Sequence, residues 1–340
     1  MTSFDSFLDR SLTNKSFEVF PLAGDASNRR YFRVVSGEES MVLMVWEPFV
    51  DDGNYPFLSV RDHFDKHGVT VPRVIAKSPA EGLVLLEDLG DLTLERKFWE
   101  NQTQDVVLPF YEQAVDELIK IHYHATFDRT DCTAFKMEFD VEKLLWEMNY
   151  GREHMMKIAQ VTLTDAENKA LDDVFTRICS SLHNQKKFIA HRDYHSRNVM
   201  LKFGKTRVID FQDARLGTIQ YDMVSLLRDS YVALSDESSH HLINYYLDRR
   251  KELQAKYSLA PLSRDEFDKV YEIQTVQRCF KACGSFSSFY NNRQDTRYLK
   301  YIPQTIQTVK RSLEPLREYA AFYQILNDHG LFERKFDELT

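Results

Sequence analysis

The stretch at residues 188–214 reads FIAHRDYHSRNVMLKFGKTRVIDFQDA. In it, His191-Arg192-Asp193 is followed by Asn198, five residues beyond the aspartate, and by Asp210 at the end of the β-run Arg207-Val208-Ile209. The apolar segments 198–203 and 206–209, with Gly204-Lys205 between them, predict two short strands joined by a tight turn. That turn brings Asn198 back beside Asp210. A carboxylate able to orient a hydroxyl, next to an Asn/Asp pair whose oxygens suit a hard divalent cation, is the arrangement that phosphoryl transfer requires. In this reading Asp193 accepts the hydroxyl proton, and Asn198 and Asp210 hold Mg2+ between triphosphate oxygens.

The whole chain bounds this reading. Its 340 residues carry 44 Lys+Arg and 52 Asp+Glu, a formal net charge of -8. An acidic chain is a poor partner for nucleic acid or an anionic membrane, so the phosphate site must be positive locally against the charge of the whole. A composition 43% hydrophobic and 13% aromatic supports a sizeable core and excludes intrinsic disorder. No basic segment followed by an apolar run opens the chain, and the longest apolar stretches fall far short of a membrane span, so a soluble, cytoplasmic protein is expected. Cys132, Cys179, Cys279 and Cys283 are too few and scattered for a disulfide framework, and read as buried thiols.

Residues 1–90 read as strand-rich. Arg30–Val35 and Met41–Trp46 flank the turn signal Ser36-Gly37 and predict a hairpin, and Gly82–Glu87 (GLVLLE) predicts a strand buried on both faces. Asp88-Leu89-Gly90-Asp91 breaks the pattern and marks a boundary. Residues 91–340 read as mainly helical. Val107, Phe110, Ala114, Leu118 and Ile121 trace one apolar face, and Thr164–Glu167 (TDAE) and Ser263–Glu266 (SRDE) are capping boxes. The expected fold class is therefore α+β and bilobal: a small β-rich nucleotide-binding lobe, 1–90, joined to a larger, mainly α-helical catalytic and substrate-binding lobe, 91–340.

Further segments carry a family resemblance. Gly24-Asp25-Ala26-Ser27 with Arg29-Arg30-Tyr31-Phe32-Arg33, Leu85-Leu86-Glu87-Asp88-Leu89-Gly90-Asp91, His191-Arg192-Asp193-Tyr194 with Arg197-Asn198, Asp210-Phe211-Gln212-Asp213-Ala214, and Gly217 with Tyr221-Asp222 span about residues 22–230. They resemble the aminoglycoside phosphotransferase and choline kinase superfamily, which has a protein-kinase-like fold. Within it, the sequence is most similar to bacterial kinases that phosphorylate N-acetylmuramate and N-acetylglucosamine at C1. The resemblance implies ATP and Mg2+ as cofactors and backbone hydrogen bonds from Glu87–Leu89 to adenine. It also implies a phosphate-covering turn at Gly24–Asn28, with Ser27 facing the nucleotide, although a plain hairpin turn explains the same residues. A small-molecule sugar partner follows, with no nucleic acid and no membrane.

The departures are informative. There is no G-x-G-x-x-G loop, no V-A-I-K strand and no A-P-E segment, and Asp-Phe-Gln stands where protein kinases have Asp-Phe-Gly. Met41–Trp46 offers no cation for the phosphates. Arg30 or Arg33 is the candidate replacement, since a guanidinium matches phosphate geometry; the alternative is that both point to solvent. His191 is expected to pack beneath the catalytic loop, and Asp222 to cap or brace it. Asp213 is a candidate for contact with sugar or metal. Arg192, Arg197 and Arg215 are candidates for an acceptor carboxylate. Two other functions remain open at this stage: a kinase of another hydroxyl metabolite, of aminoglycoside, choline or homoserine type, and a nucleotide-binding pseudokinase regulator.

Overall fold

A computed structural model describes residues 4–22, 29–101 and 103–339. Helix α1 (Asp5–Ser11) precedes a five-stranded sheet of β1 (Glu18–Pro21), β2 (Arg30–Ser36), β3 (Glu39–Val45), β4 (Val74–Ser78) and β5 (Leu83–Glu87), in the order β1-β2-β3-β5-β4 and antiparallel throughout. Helix α2 (Pro56–Lys66) lies between β3 and β4 in sequence. The expected hairpin is β2–β3, with Gly37 at φ 65 in its turn.

Strand periodicity explains the sheet's two faces. Leu83 and Leu85 of β5, with Met41, Leu43 and Val45 of β3, pack against Phe4, Phe7 and Leu8. The alternate residues Met44, Val84 and Leu86 pack on the other side with Phe57, Val60 and Phe64 of α2. Both faces of β5 are therefore covered, which is why its sequence is continuously apolar.

After the linker come α3 (Leu94–Trp99), α4 (Leu108–Ile119), α5 (Val141–Ala159) and α6 (Asp165–His183). Helix α4 runs into a π-helical turn, Lys120–Ala125. Two small sheets follow: β6 (Phe188–Ala190) pairs with β9 (Arg215–Gly217), and β7 (Val199–Lys202) with β8 (Lys205–Val208). Helices α7 (Ile219–Leu227), α8 (Asp236–Glu252), α9 (Arg264–Arg293), α10 (Ile302–Leu313) and α11 (Ala320–Asp328) complete the chain. Both capping boxes form, at the starts of α6 and α9. This is the bilobal kinase-like α+β fold. No helix of the described residues is long and apolar enough to cross a membrane.

The β7–β8 turn differs from the sequence expectation by one residue. Its central pair is Phe203-Gly204, at φ 50 and φ 73, instead of Gly204-Lys205. Lys202 pairs with Lys205, so the two residues between must both be left-handed, as a two-residue hairpin demands. Phe203 accepts that conformation and is 92% exposed.

Candidate active site

Strands β6 and β9 hold one end of the candidate catalytic loop, residues 191–198, and the β7–β8 hairpin holds the other. Asn198 is the hinge of the arrangement. Its Nδ2 donates to the Asp193 backbone oxygen at 2.9 Å and to Asp210 Oδ2 at 3.3 Å, while its own carbonyl accepts from Ile209 N at 3.1 Å. The amide nitrogen is thereby engaged, which leaves Oδ1 as the acceptor atom of a side chain in contact with the Asp210 carboxylate. An amide oxygen next to a carboxylate is a donor set for a hard cation such as Mg2+.

The two aspartates sit in opposite electrostatic settings. Burial pushes the Asp210 carboxyl up and the charge of Asp193 adds to this, against the hydrogen bond from Gln212. A cation held by Asn198 and Asp210 would offset that cost. Burial also raises Asp193, but Lys281 and Arg192 outweigh it and hold this carboxyl well below the usual range. Burial likewise holds His195 down to about 3, so its ring is neutral.

The backbone here is strained. Arg192 has φ 86 and Asp210 φ 64, both in the left-handed region. Buried groups hold each in place. Asp222, at the start of α7, accepts from His191 N at 2.7 Å, from Arg192 N at 3.0 Å and from His122 Nε2, in the π-helical turn, at 3.1 Å. His191 reaches the Ile209 carbonyl through Nε2 at 2.9 Å and packs edge-on to Tyr194, beneath the loop. Phe211 wedges between Phe57 and Phe64 of α2, fixing the residue after Asp210. Asp229, just beyond α7, accepts from Ser196 N and Oγ at 2.8 and 2.5 Å. Sequence reading passed over Asp229, whose only local signal is an aspartate at the end of an apolar helix.

The remaining candidates are placed less simply. Ser27, with the rest of the Gly24–Asn28 turn, lies outside the described residues. Arg33 is clamped by two carboxylates, Nε to Asp88 Oδ2 at 2.7 Å and Nη2 to Asp91 Oδ1 at 2.9 Å. Arg30 is exposed on β2. It is Arg29 that approaches the site, with Nη2 4.0 Å from Asp210 Oδ1. Strand β3 carries no lysine and helix α2 no glutamate, so these two elements do not supply the usual kinase Lys–Glu pair, and among the described residues Arg29 is the cation at ion-pair distance from Asp210.

Glu87 accepts from Lys202 Nζ at 2.9 Å, and the same ammonium donates to the Asp88 carbonyl at 2.7 Å, tying β7 to the linker. Leu89 is buried. Arg197 grips Glu95 of α3 through two 2.9 Å bonds, donates to Tyr301 Oη at 2.8 Å and stacks 3.7 Å above the Tyr231 ring. With Nε and Nη2 so engaged, Arg197 is a loop anchor in this conformation. Asp213 is half-exposed, 3.1 Å from Arg192 Nη1.

A positioned carboxylate, an Asn/Asp oxygen pair and a two-lobed frame define a phosphotransferase of the kinase fold. The comparisons with known proteins agree. The profile of the phosphotransferase enzyme family matches residues 18–259, and the chain belongs to that family. It is 29% identical over 322 residues to the N-acetylmuramate/N-acetylglucosamine kinase of Neisseria meningitidis serogroup B, covering 94% of this chain and 93% of the relative. It is 30% identical over 315 residues to the protein of that name in Pseudomonas aeruginosa, covering 91% and 88%. Among solved structures, an ADP-bound aminoglycoside phosphotransferase superimposes with a TM-score of 0.59 at 15% identity, covering 90% of this chain and 97% of that one. A choline kinase from Cryptosporidium parvum does so at 0.61 and 11%, covering 98% and 99%. These structures share the fold.

Proposed function

We propose that this protein is an ATP- and Mg2+-dependent sugar kinase that phosphorylates the anomeric C1 hydroxyl of N-acetylmuramate or N-acetylglucosamine, in cytoplasmic recycling of cell-wall sugars. The observation that carries the reading is Asp193, ionised and braced beside Asn198 and Asp210, in a chain whose relatives bear that name over nearly their full length. The acceptor oxygen attacks the γ-phosphorus as the bond to the β–γ bridging oxygen breaks, and ADP leaves. The hydroxyl proton passes to an Asp193 oxygen. A carboxyl held this low is a weak base, so its first task is orientation; an anomeric hydroxyl, more acidic than an ordinary alcohol, suits it. Mg2+ held by Asn198 and Asp210 would neutralise charge on the phosphate oxygens. Arg29 would add a cation on that side, and the linker backbone at Glu87–Leu89 would meet adenine. Asp213, paired with Arg192, would border the sugar.

A cationic acceptor such as an aminoglycoside or choline is disfavoured by the positive groups around Asp193, and a pseudokinase has no chemical need for the three assembled side chains. Incubation with ATP, Mg2+ and each sugar, followed by phosphorus NMR, is expected to yield a sugar 1-phosphate. Asp193→Asn should lower kcat by about 10²- to 10⁴-fold. Absence of the 1-phosphate with both sugars overturns this reading.

A further inference from the structure

Helix α9 begins at Arg264, beyond the last residue matched by the family profile, and packs against α5 and α7. Gln274, Arg278 and Lys281 lie along one stripe of it, at spacings of four and three. Gln274 accepts from Thr218 Oγ1 at 2.9 Å and Arg278 lies 5.9 Å from the Tyr221 ring centre, so the stripe faces the start of α7 beneath the catalytic loop. Arg278 is only 8% exposed, yet its buried Nε has no hydrogen-bond partner among the described residues; the buried Nε of Arg192 has none either.

Lys281 is half-buried and, among the described residues, has no carboxylate at ion-pair distance. It nevertheless acts on Asp193 more strongly than any other charged group. Lys143 of α5 lies 3.8 Å above the exposed Trp146 ring; burial holds its ammonium below the ordinary value against the pull of Glu147, and the charges of Arg192, Arg215 and Lys281 add to that lowering. Two acids stand near these cations. Asp213 pairs with Arg192, while Glu147, wholly buried, accepts from Gln277 at 2.9 Å through Oε2, keeps an Oε1 with no hydrogen-bond partner among the described residues, and acts on Lys143. The groups acting most on Asp210 are Gln212, Asp193, His191 and Arg29, none of them from α9. Partly desolvated, unpaired cations are costly unless an anion joins them.

We propose that Lys281, with Arg278 and Lys143, forms a subsite for a carboxylate carried by the acceptor, so that α9 selects the acidic sugar over its neutral counterpart. This rests on the sugar-kinase reading above. N-acetylmuramate differs from N-acetylglucosamine by a lactyl ether, and hence by one carboxylate, so the pair isolates the subsite. In steady-state kinetics, Lys281→Met should reduce the ratio of kcat/KM for muramate to that for glucosamine about tenfold, the scale of one lost charge-assisted contact. The loss should appear mainly in the KM for muramate, and Lys281→Arg should restore most of the ratio. An unchanged ratio, or equal losses with both sugars, overturns the subsite; equal losses would place Lys281 on Asp193 or the phosphates. Calorimetric titration with the two sugars reads the same contact without turnover. Preferential muramate binding that Lys281→Met abolishes supports the subsite even if no product forms, in which case only the function reading falls. Equal binding of both sugars overturns the subsite.

Discussion

Asp222 shows how one buried carboxylate stabilises a catalytic loop without touching substrate. It is 0% exposed, and its two oxygens accept from two successive backbone amides, one of them on the strained Arg192, and from His122. A left-handed non-glycine residue costs on the order of 1–3 kcal/mol, and these charge-assisted bonds offset that cost. Asp222→Asn keeps the shape but lacks the charge, and turns an NH2 donor toward amides that are themselves donors. The expected loss is about 2–3 kcal/mol, a fall in thermal midpoint of about 3–4 °C for a chain of this length, accompanied by a lower kcat. Scanning fluorimetry and initial rates measure both; an unchanged midpoint would show that the loop holds its geometry without the brace.

At the scale of elements, the proposed acceptor side depends on how closely α5 and α9 approach. They run side by side in the same direction, as the contacts Glu147–Gln277, Gly151–Gly284 and His154–Asn291 show. A Cβ on Gly284 would stand 2.5 Å from the Gly151 Cα, and the obstacle is backbone, which cannot rotate away. Gly284→Ala gains about 1 kcal/mol of helix propensity but overpacks the crossing by more. The net expectation is a destabilisation of about 1–2 kcal/mol in urea unfolding, and an equal or higher stability would refute the tight crossing. The two glycines lie 133 residues apart in sequence, so no local pattern announces their meeting. The same holds for Arg33, whose carboxylate partners are 55 and 58 residues away. It holds too for Asp222 and Asp229, which reach the loop across 30 or so residues. By contrast, Asp193, Asn198 and Asp210 fall within one turn-flanked stretch, and strand alternation and capping boxes are local by nature. The chemistry and the element types were therefore legible, while Arg29, Lys281 and the bracing carboxylates required the tertiary structure.

Over the whole molecule, the net charge of -8 coexists with the cations Lys281, Arg192 and Arg278 acting on Asp193, and the histidines set how the fold responds to acid. Burial holds His63, His124, His154 and His195 below their ordinary value, His195 down to about 3. Each is therefore neutral in the folded protein under conditions in which the unfolded chain, with values near 6.5, takes up protons. Between the two values the unfolded state binds more protons, so stability rises with pH and is lost as pH falls below about 6.5. The carboxyls of Glu87 and Asp88, lowered by their partners against the effect of burial, act in the same sense but only at lower pH, below their unfolded values. The first loss on acidification therefore belongs to the histidines. For His195 alone it amounts to at most about 1.4 kcal/mol at about pH 5.5, or roughly 2 °C in thermal midpoint, with the other three adding to it. Thermal midpoints measured in matched ionic strength at about pH 7.5, 6.5 and 5.5 should fall at each step, and His195→Gln should flatten part of the slope. A midpoint that is level or rises over that range would mean these rings are charged in the folded state, and would remove the basis for a neutral His195 beside Asp193.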